Sequence, residues 1–170
     1  MNVYGLSKRQ AEKKVLEINA EALIIRSSSY FNPWHKEDGL CKILQSGRSS
    51  DQHFYLPSDI IVSPTYIPHL VNNVLDLLID KEAGIWHLSS QEEISYSDFA
   101  SLALGLAGLN QSIIRAVPSS NLQYTATRPL YSVLKSSWGM VLPMLTNTLQ
   151  SFLDEFLKEP YVQMMPESSL

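Results

Sequence analysis

The sequence has a single cysteine, Cys41, and no long run of basic or of apolar residues. One thiol cannot form a disulfide within the chain, which favours a reducing compartment and predicts a cytoplasmic protein. The net charge is −4, and the lack of clustered Lys and Arg argues against a nucleic-acid partner. No apolar stretch reaches the roughly 18 residues of a transmembrane helix, so no membrane partner is expected.

Glycine is also scarce, and the seven glycines never form a closely spaced G-x-x-G-x-x-G turn. A dinucleotide site needs a strand, a glycine-rich turn and a helix N-terminus that holds the pyrophosphate. We therefore expect this chain alone to bind no NAD(P)H with useful affinity. The four histidines show no metal-ligand spacing, and no metal site is expected.

What the chain does contain is an alternation of helical and strand-like segments, with 45% hydrophobic and 18% charged residues among 170. Apolar spacing and capping signals predict helices at 5–19, 40–46, 68–78, 95–106 and 146–158. Short apolar runs predict strands at 22–25, 53–56, 85–88 and 112–117, the first of them buried on both faces. Residues 118–144 are predicted to be mostly loop. This alternation predicts an α/β fold for residues 1–158, followed by a loose tail at 159–170.

Tyr4 and Lys8 stand four residues apart on the first predicted helix, within the stretch "NVYGLSK". Residues at this spacing share a helix face, and a lysine there would favour the tyrosinate and prepare the hydroxyl for proton transfer. The same spacing recurs at Tyr131 and Lys135, so spacing alone does not choose between the pairs. Either pair could also be an ordinary surface pair.

The order of several short sequence blocks along the chain favours Tyr4 and Lys8 over Tyr131 and Lys135. The blocks "NVYGLSKRQAEKKVLE", "ALIIRSSSYF", "SPTYIPHLVNNVLDLL", "GIWHLSS", "ISYSDFASLA" and "RPLYSVL" follow one another over most of residues 2–158. In this order they resemble the C-terminal half of the extended short-chain dehydrogenases, in particular dTDP-4-dehydrorhamnose reductases and related sugar-nucleotide reductases. The resemblance implies a Rossmann-type fold with a small substrate-binding subdomain, lacking its glycine-rich N-terminal half.

The resemblance also implies roles for individual residues. Tyr4 would protonate the carbonyl oxygen of a nucleotide-linked 4-keto-sugar, while Lys8 would lower its pKa and contact the nicotinamide ribose of NAD(P)H. Both residues therefore count as catalytic and as cofactor-binding. Arg128 would contact the diphosphate or, as an alternative, bond loop carbonyls. Thr65 and Ser29 would lie in the wall of the substrate site.

Two departures from the family pattern leave the identity of the substrate's sugar undetermined. Ser29 stands where relatives carry an aromatic residue, and His69 stands in place of an acid. A non-catalytic regulatory or binding homologue therefore remains an alternative to the reductase. The cofactor-binding N-terminal half is an expected partner, without which this chain should be inactive. The faces of helix 5–19 and of the first strand, left uncovered, are expected to drive self-association.

Overall fold

The computed structural model describes residues 2–35, 38–48, 52–90, 92–138 and 142–158, and the structural statements below refer to these. The helices are α1 (Val3–Ile18), α2 (Gly39–Ser46), α3 (Ile67–Ile79), α4 (Tyr96–Leu106) and α5 (Leu145–Lys158). The strands are β1 (Leu23–Arg26), β2 (Tyr30–Phe31), β3 (Phe54–Pro57), β4 (Ile61–Val62), β5 (Thr65–Tyr66), β6 (Gly84–His87), β7 (Ile94–Ser95), β8 (Ile114–Val117) and β9 (Tyr131–Ser132). The predicted α/β fold is confirmed, whereas the predicted tail at 159–170 lies outside the described residues.

Parallel pairing dominates the sheets. Strand β1 pairs with β6, with Leu23 opposite Gly84 and Arg26 opposite His87, and β3 pairs with β8. Shorter ladders join β2 to β5 and place β4 between β7 and β9. Parallel strands require crossover connections, which α2, α3 and α4 with their loops supply. The carboxyl ends of β1 and β6 consequently lie side by side, a usual place for ligand sites in such sheets.

The main core is aromatic and lies between α2, α4, α5 and the β2–β5 ladder. The ring of Phe31 is its centre, with centroids between 5.2 and 5.5 Å from Tyr66, Phe99 and Phe152. Such tilted and edge-to-face pairs each contribute about 0.5–1.5 kcal/mol beyond the burial of their surface. This core fixes β2 and β5, and with them the chain around Ser29 and Thr65.

Cys41 belongs to the same core, on the inner side of α2. Its side chain is fully buried, and its thiol donates to the carbonyl of Asn32 at 3.5 Å. Burial, aided by the negative charge of Asp38, raises the pKa of this thiol to about 11. The residue is therefore a packing thiol that stays protonated at neutral pH.

Strand β1 and helix α1 are less buried than their sequences predict. The prediction that the strand is buried on both faces is wrong, because every residue of β1 is only half-buried and β6 is its single paired neighbour among the described strands. None of the residues of α1 is buried, and Ile18 is 88% exposed. A bidentate ion pair from Arg26 to Glu12, with contacts of 2.8 and 2.6 Å, attaches the helix to the strand.

Candidate functional site

The first turn of α1 carries Tyr4 and Lys8 on one face. The side chain of Asn2 caps this turn by accepting the amide hydrogen bond of Gly5 at 2.8 Å. The ammonium of Lys8 lies 5.5 Å from the centroid of the Tyr4 ring, and the tyrosine is 69% exposed. The lysine therefore lies over the face of the ring, while the phenol stays accessible to a ligand.

A hydrogen bond connects this turn to the loop that carries Arg128. The side-chain amide of Asn2 donates to the carbonyl of Thr127 at 3.5 Å. The guanidinium of Arg128 stacks on the ring of Tyr124, with its central carbon 5.1 Å from the centroid. A stacked guanidinium keeps its N–H groups in its own plane, where they can reach phosphate or carboxylate oxygens. The structure thus brings Tyr4 and Arg128 to the same region of the molecule.

Ser29 follows the carboxyl end of β1 in an unusual backbone conformation. Its φ is 25°, in the left-handed region that non-glycine residues rarely adopt. The amide of Thr65 holds it there by donating to the Ser29 carbonyl at 2.9 Å. The hydroxyl of Ser29 donates to the hydroxyl of Tyr96 at 3.1 Å. A strained serine at the carboxyl edge of a parallel sheet is a feature of functional sites.

Thr65 is fully buried behind Ser29. Its hydroxyl accepts a hydrogen bond from Ser27 at 3.1 Å and donates to the carbonyl of Ser63 at 3.2 Å. Its side chain therefore faces the interior, and its backbone supports the Ser29 turn.

Tyr96 was missed by the sequence analysis. It is the first residue of α4, directly after the N-cap Ser95, and it is half-buried. Burial raises the pKa of the neighbouring Tyr124; the charge of Arg128 opposes this rise, whereas Tyr96 and Asp59 add to it. Tyr96 therefore contacts Ser29 and takes part in the electrostatic surroundings of Tyr124. An aromatic residue immediately after a capping serine was the available signal.

The segment after Arg128 is held by serine hydroxyls. Ser28, after β1, donates to the carbonyl of Ser132 at 2.9 Å, and Ser89, after β6, donates to the carbonyl of Leu134 at 3.0 Å. Ser63 accepts from the amide of Leu134 at 3.4 Å. The ends of the two parallel strands thereby fix the backbone of this segment.

The second tyrosine–lysine pair has a different environment. Tyr131 lies on β9 and not on a helix, and the ammonium of Lys135 is 3.0 Å from the carboxylate of Glu93. A hydrogen bond to the same carboxylate raises the pKa of Tyr131. This shift is opposite to the one expected when a lysine activates a tyrosine.

Arg26 has a structural environment. Besides its two contacts to Glu12, its guanidinium lies 3.3 Å from Nε2 of His87 on the paired strand. The other ring nitrogen of His87 lies 3.0 Å from the carbonyl of Lys135. These contacts give Arg26 a structural role, because they join α1, β1 and β6.

Comparison with known proteins now identifies the family. Residues 1–160 match the model of the RmlD substrate binding domain. The chain belongs to this family. The resemblance to sugar-nucleotide reductases, predicted from the order of the sequence blocks, is confirmed.

Curated relatives of this RmlD-family chain include named reductases. It is 30% identical over 132 residues to the spore coat polysaccharide biosynthesis protein SpsK of Bacillus subtilis, covering 78% of this chain and 45% of that protein. It is 24% identical over 134 residues to the dTDP-4-keto-6-deoxy-D-glucose reductase of Streptomyces niveus, covering 79% of this chain and 46% of that protein. The chain thus spans about half the length of the curated relatives it matches.

Solved structures share the fold of this RmlD-family chain. The dTDP-4-dehydrorhamnose reductase of Yersinia enterocolitica superposes with a TM-score of 0.82 at 24% identity, covering 92% of this chain and 57% of that one. The Bacillus anthracis reductase, solved in complex with NADP, gives a TM-score of 0.80 at 24% identity, covering 91% and 56% of the two chains. These likenesses confirm the Rossmann-type α/β class.

The RmlD-family chain also has a shallow cleft, which contains none of the candidate site residues Tyr4, Lys8, Ser29, Thr65 and Arg128 in its lining. The hydroxyls of Tyr66 and Ser90 and Nδ1 of His69 line it, and all three are buried. Those of Ser90 and His69 have no hydrogen-bond partner among the described residues, whereas burial and the neighbouring carboxylate of Glu155 raise the pKa of Tyr66. It measures about 160 Å³ when counted to its open mouth and encloses no space the size of a water molecule. The described residues contain no group of three His, Cys, Asp or Glu arranged to hold a metal ion. No helix in the described part of the chain has the length and apolar character needed to span a bilayer.

Proposed function

We propose that this chain is the substrate-binding part of an NAD(P)H-dependent reductase acting on a nucleotide-linked 4-keto-sugar. The observation that carries the proposal is the hydrogen bond from Asn2 to the Thr127 carbonyl, which sets the tyrosine–lysine turn beside the Arg128 loop. The membership of residues 1–160 in a substrate-binding family supports it. Relatives named as reductases of dTDP-linked sugars supply the substrate class.

Tyr4 is the proposed proton donor. Its exposed phenol gives its proton to the carbonyl oxygen of the sugar, and the positive charge of Lys8 stabilises the tyrosinate that remains. A nicotinamide cofactor, when bound, would supply the hydride that reduces the carbonyl carbon. Proton and hydride together convert the ketone to an alcohol.

The residues present fit only one end of that cofactor. Tyr4 and Lys8 are on one accessible face, where their polar groups would hold the nicotinamide ribose. The described residues contain no glycine-rich turn at a helix N-terminus, the feature that a pyrophosphate requires. The remaining contacts to the cofactor have to come from a further cofactor-binding half.

Substrate contacts are assigned to two residues. Arg128 binds the diphosphate, because a stacked and exposed guanidinium offers several donors to phosphate oxygens. Ser29, at the carboxyl end of β1, contacts the sugar. Thr65 acts behind Ser29 by fixing its backbone.

The test is calorimetric titration of this chain with dTDP-glucose. We expect measurable binding, weakened about ten- to hundredfold by Arg128→Ala, since a hydrogen bond to a charged group contributes about 1.5–3 kcal/mol. Arg115→Ala is the matched control, because this exposed arginine contacts His53 and the Ser112 carbonyl instead. Equal affinity in the Arg128→Ala and unmodified chains would contradict the assignment of the diphosphate.

A further inference from the structure

The hydroxyl of Tyr96 contacts Ser29, one of the residues of the proposed substrate site. We infer that Tyr96 is a specificity-determining residue of the sugar subsite, and that its hydroxyl, positioned by Ser29, donates a hydrogen bond to a hydroxyl group of the bound sugar. This inference rests on the proposed function, because it assumes a nucleotide-linked sugar as the ligand. It assigns a role to a residue that the sequence motifs do not single out.

The first support is the direction of the hydrogen bond between the two hydroxyls. Ser29 donates to Tyr96 at 3.1 Å, so the phenol oxygen acts as the acceptor. A phenol also carries one donor hydrogen. The hydrogen bonds found among the described residues give that hydrogen no acceptor, which leaves it for a ligand.

The second support is the strain at Ser29. A non-glycine residue in the left-handed region costs about 1–3 kcal/mol and persists only where its surroundings enforce it. Here the amide of Thr65 enforces it, with a bond of 2.9 Å to the Ser29 carbonyl. The strained conformation directs the serine hydroxyl at Tyr96. The strained backbone of Ser29 thus accompanies its hydrogen bond to Tyr96 in the proposed sugar site, and not a packing contact in the hydrophobic core.

The third support is the rigidity of the helix start from which Tyr96 projects. The hydroxyl of Ser95 accepts the amide hydrogen bond of Asp98 at 3.1 Å and lies 2.7 Å from the Asp98 carboxylate. Ser95 is also paired with Ile61 across the β4–β7 ladder. Tyr96 is therefore held in place before a ligand arrives, which reduces the entropy lost on binding.

The position of Tyr96 relative to Arg128 decides which part of the ligand it meets. Tyr96 adds to the rise in the pKa of Tyr124, and the Arg128 guanidinium lies over the ring of Tyr124. The hydroxyl of Tyr96 also contacts Ser29, which follows the carboxyl end of β1. In a nucleotide-linked sugar the diphosphate joins the deoxyribose to the hexose, so a diphosphate held by Arg128 brings one of these two rings toward Tyr96. We assign the hexose to Tyr96, because Ser29 lies in the proposed wall of the sugar site, and a comparison of dTDP with dTDP-glucose tests this choice.

The experiment compares two ligands, dTDP and dTDP-glucose, on the unmodified chain and on two variants. Tyr96→Phe keeps the ring and removes the hydroxyl, and Ser29→Gly removes the positioning hydroxyl while accepting the positive φ without strain. We expect each variant to bind dTDP-glucose about three- to tenfold more weakly and dTDP with unchanged affinity. Ser29→Gly should also keep or raise the melting temperature, which separates loss of the contact from loss of structure.

Tyr131→Phe is the matched control, because it removes a tyrosine hydroxyl that contacts Glu93. It should leave both affinities unchanged. Equal weakening of both ligands by Tyr96→Phe and Ser29→Gly would indicate a structural role and overturn the inference, as would unchanged affinity for both. If the unmodified chain binds neither ligand, the proposed function itself fails and the sugar subsite fails with it. If the unmodified chain binds both ligands and the variants bind them with the same affinity, the proposed function still holds and only the role assigned to Tyr96 is wrong.

Discussion

Tyr4 and Tyr131 each precede a lysine by four residues, but their surroundings give them different chemistry. Tyr4 is on a helix, where this spacing places the lysine over its ring. Tyr131 is on a strand, and its hydroxyl and Lys135 both contact Glu93. A lysine that is already paired with a carboxylate has less capacity to stabilise a tyrosinate. The surroundings therefore favour Tyr4 as the proton donor.

Reductase activity distinguishes the two tyrosines. In a polypeptide that joins this chain to a cofactor-binding half, we expect Tyr4→Phe to lower kcat at least about a hundredfold, since general acid catalysis contributes about 10²–10⁴ in rate. Tyr131→Phe should leave most of the activity. Loss of NADPH absorbance in the presence of a dTDP-4-keto-sugar measures the rate. A larger loss of activity with Tyr131→Phe than with Tyr4→Phe would show that Tyr131, and not Tyr4, is the proton donor. Sugar binding without turnover in the unmodified protein would favour the regulatory alternative.

Secondary structure was largely predictable from the sequence. The five predicted helices and four predicted strands are present, with ends displaced by at most two residues. Two-residue strands such as β2 and β9 were not foreseen, because a strand that short has no measurable alternation of apolar and polar residues. Pairing was not predictable either, since β3 and β8 are separated by more than fifty residues and nothing local records their register.

The candidate site was predictable only in part. The order of the sequence blocks pointed to Tyr4, Ser29 and Arg128, whose roles remain predictions. The structure joins the first turn of α1 to the Arg128 loop through Asn2, and it places Ser29 against Tyr96. The contact between Ser29 and Tyr96 depends on a backbone angle and on two segments 67 positions apart. Neither the backbone angle nor the long-range contact produces a periodic or compositional pattern in the sequence. The burial of Thr65 likewise follows from sheet pairing and not from its own sequence context.

The ion pair between Glu12 and Arg26 attaches helix α1 to β1, and this contact should make stability depend on pH. Hydrogen bonding to Arg26, together with its charge, lowers the pKa of Glu12 despite partial burial. Because folding lowers this pKa, the contact stabilises the chain above the ordinary carboxyl pKa of 4.5 and is lost as the pH falls through the folded-state value.

Glu12→Gln should therefore lower the free energy of unfolding near neutral pH by about 1 kcal/mol or less, the range for a partly exposed pair. The difference from the unmodified chain should shrink toward zero as the pH falls below the ordinary carboxyl range. Urea denaturation at a series of pH values measures it. Glu17→Gln is the control, because Glu17 pairs only at the surface with Lys13 at 3.7 Å. A difference that stays constant with pH would show that the ion pair is not its source.

At the scale of the whole molecule, the described residues offer no turn for the pyrophosphate of a dinucleotide. We expect calorimetry to detect no binding of NADPH to this chain alone, even at concentrations where dTDP-glucose binds. The dTDP-glucose titration on the same sample serves as the control for folding. Micromolar affinity for NADPH would mean that the chain forms a cofactor site by some other arrangement of its backbone.

Exposed apolar side chains on α1 and α3 predict self-association. Ile18 is 88% exposed and Ile79 is 76% exposed, and each is the last residue of its helix. Apolar surface of this kind tends to acquire a partner. We expect sedimentation velocity to show a concentration-dependent dimer or larger species, weakened by Ile18→Lys together with Ile79→Glu. Val117→Glu, on β8, is a control placed away from these helices. A monomer at every concentration would exclude this prediction.

The serine hydroxyls that hold the segment after Arg128 donate hydrogen bonds to its main-chain carbonyls and not to its side chains. Ser28 and Ser89 reach the carbonyls of Ser132 and Leu134, and every amino acid supplies such a carbonyl. Substitutions along this segment therefore change its side chains without detaching its backbone from the ends of β1 and β6. Natural variation can therefore accumulate there at little cost in folding stability, and the sequence of this segment can diverge between relatives while its backbone keeps its place.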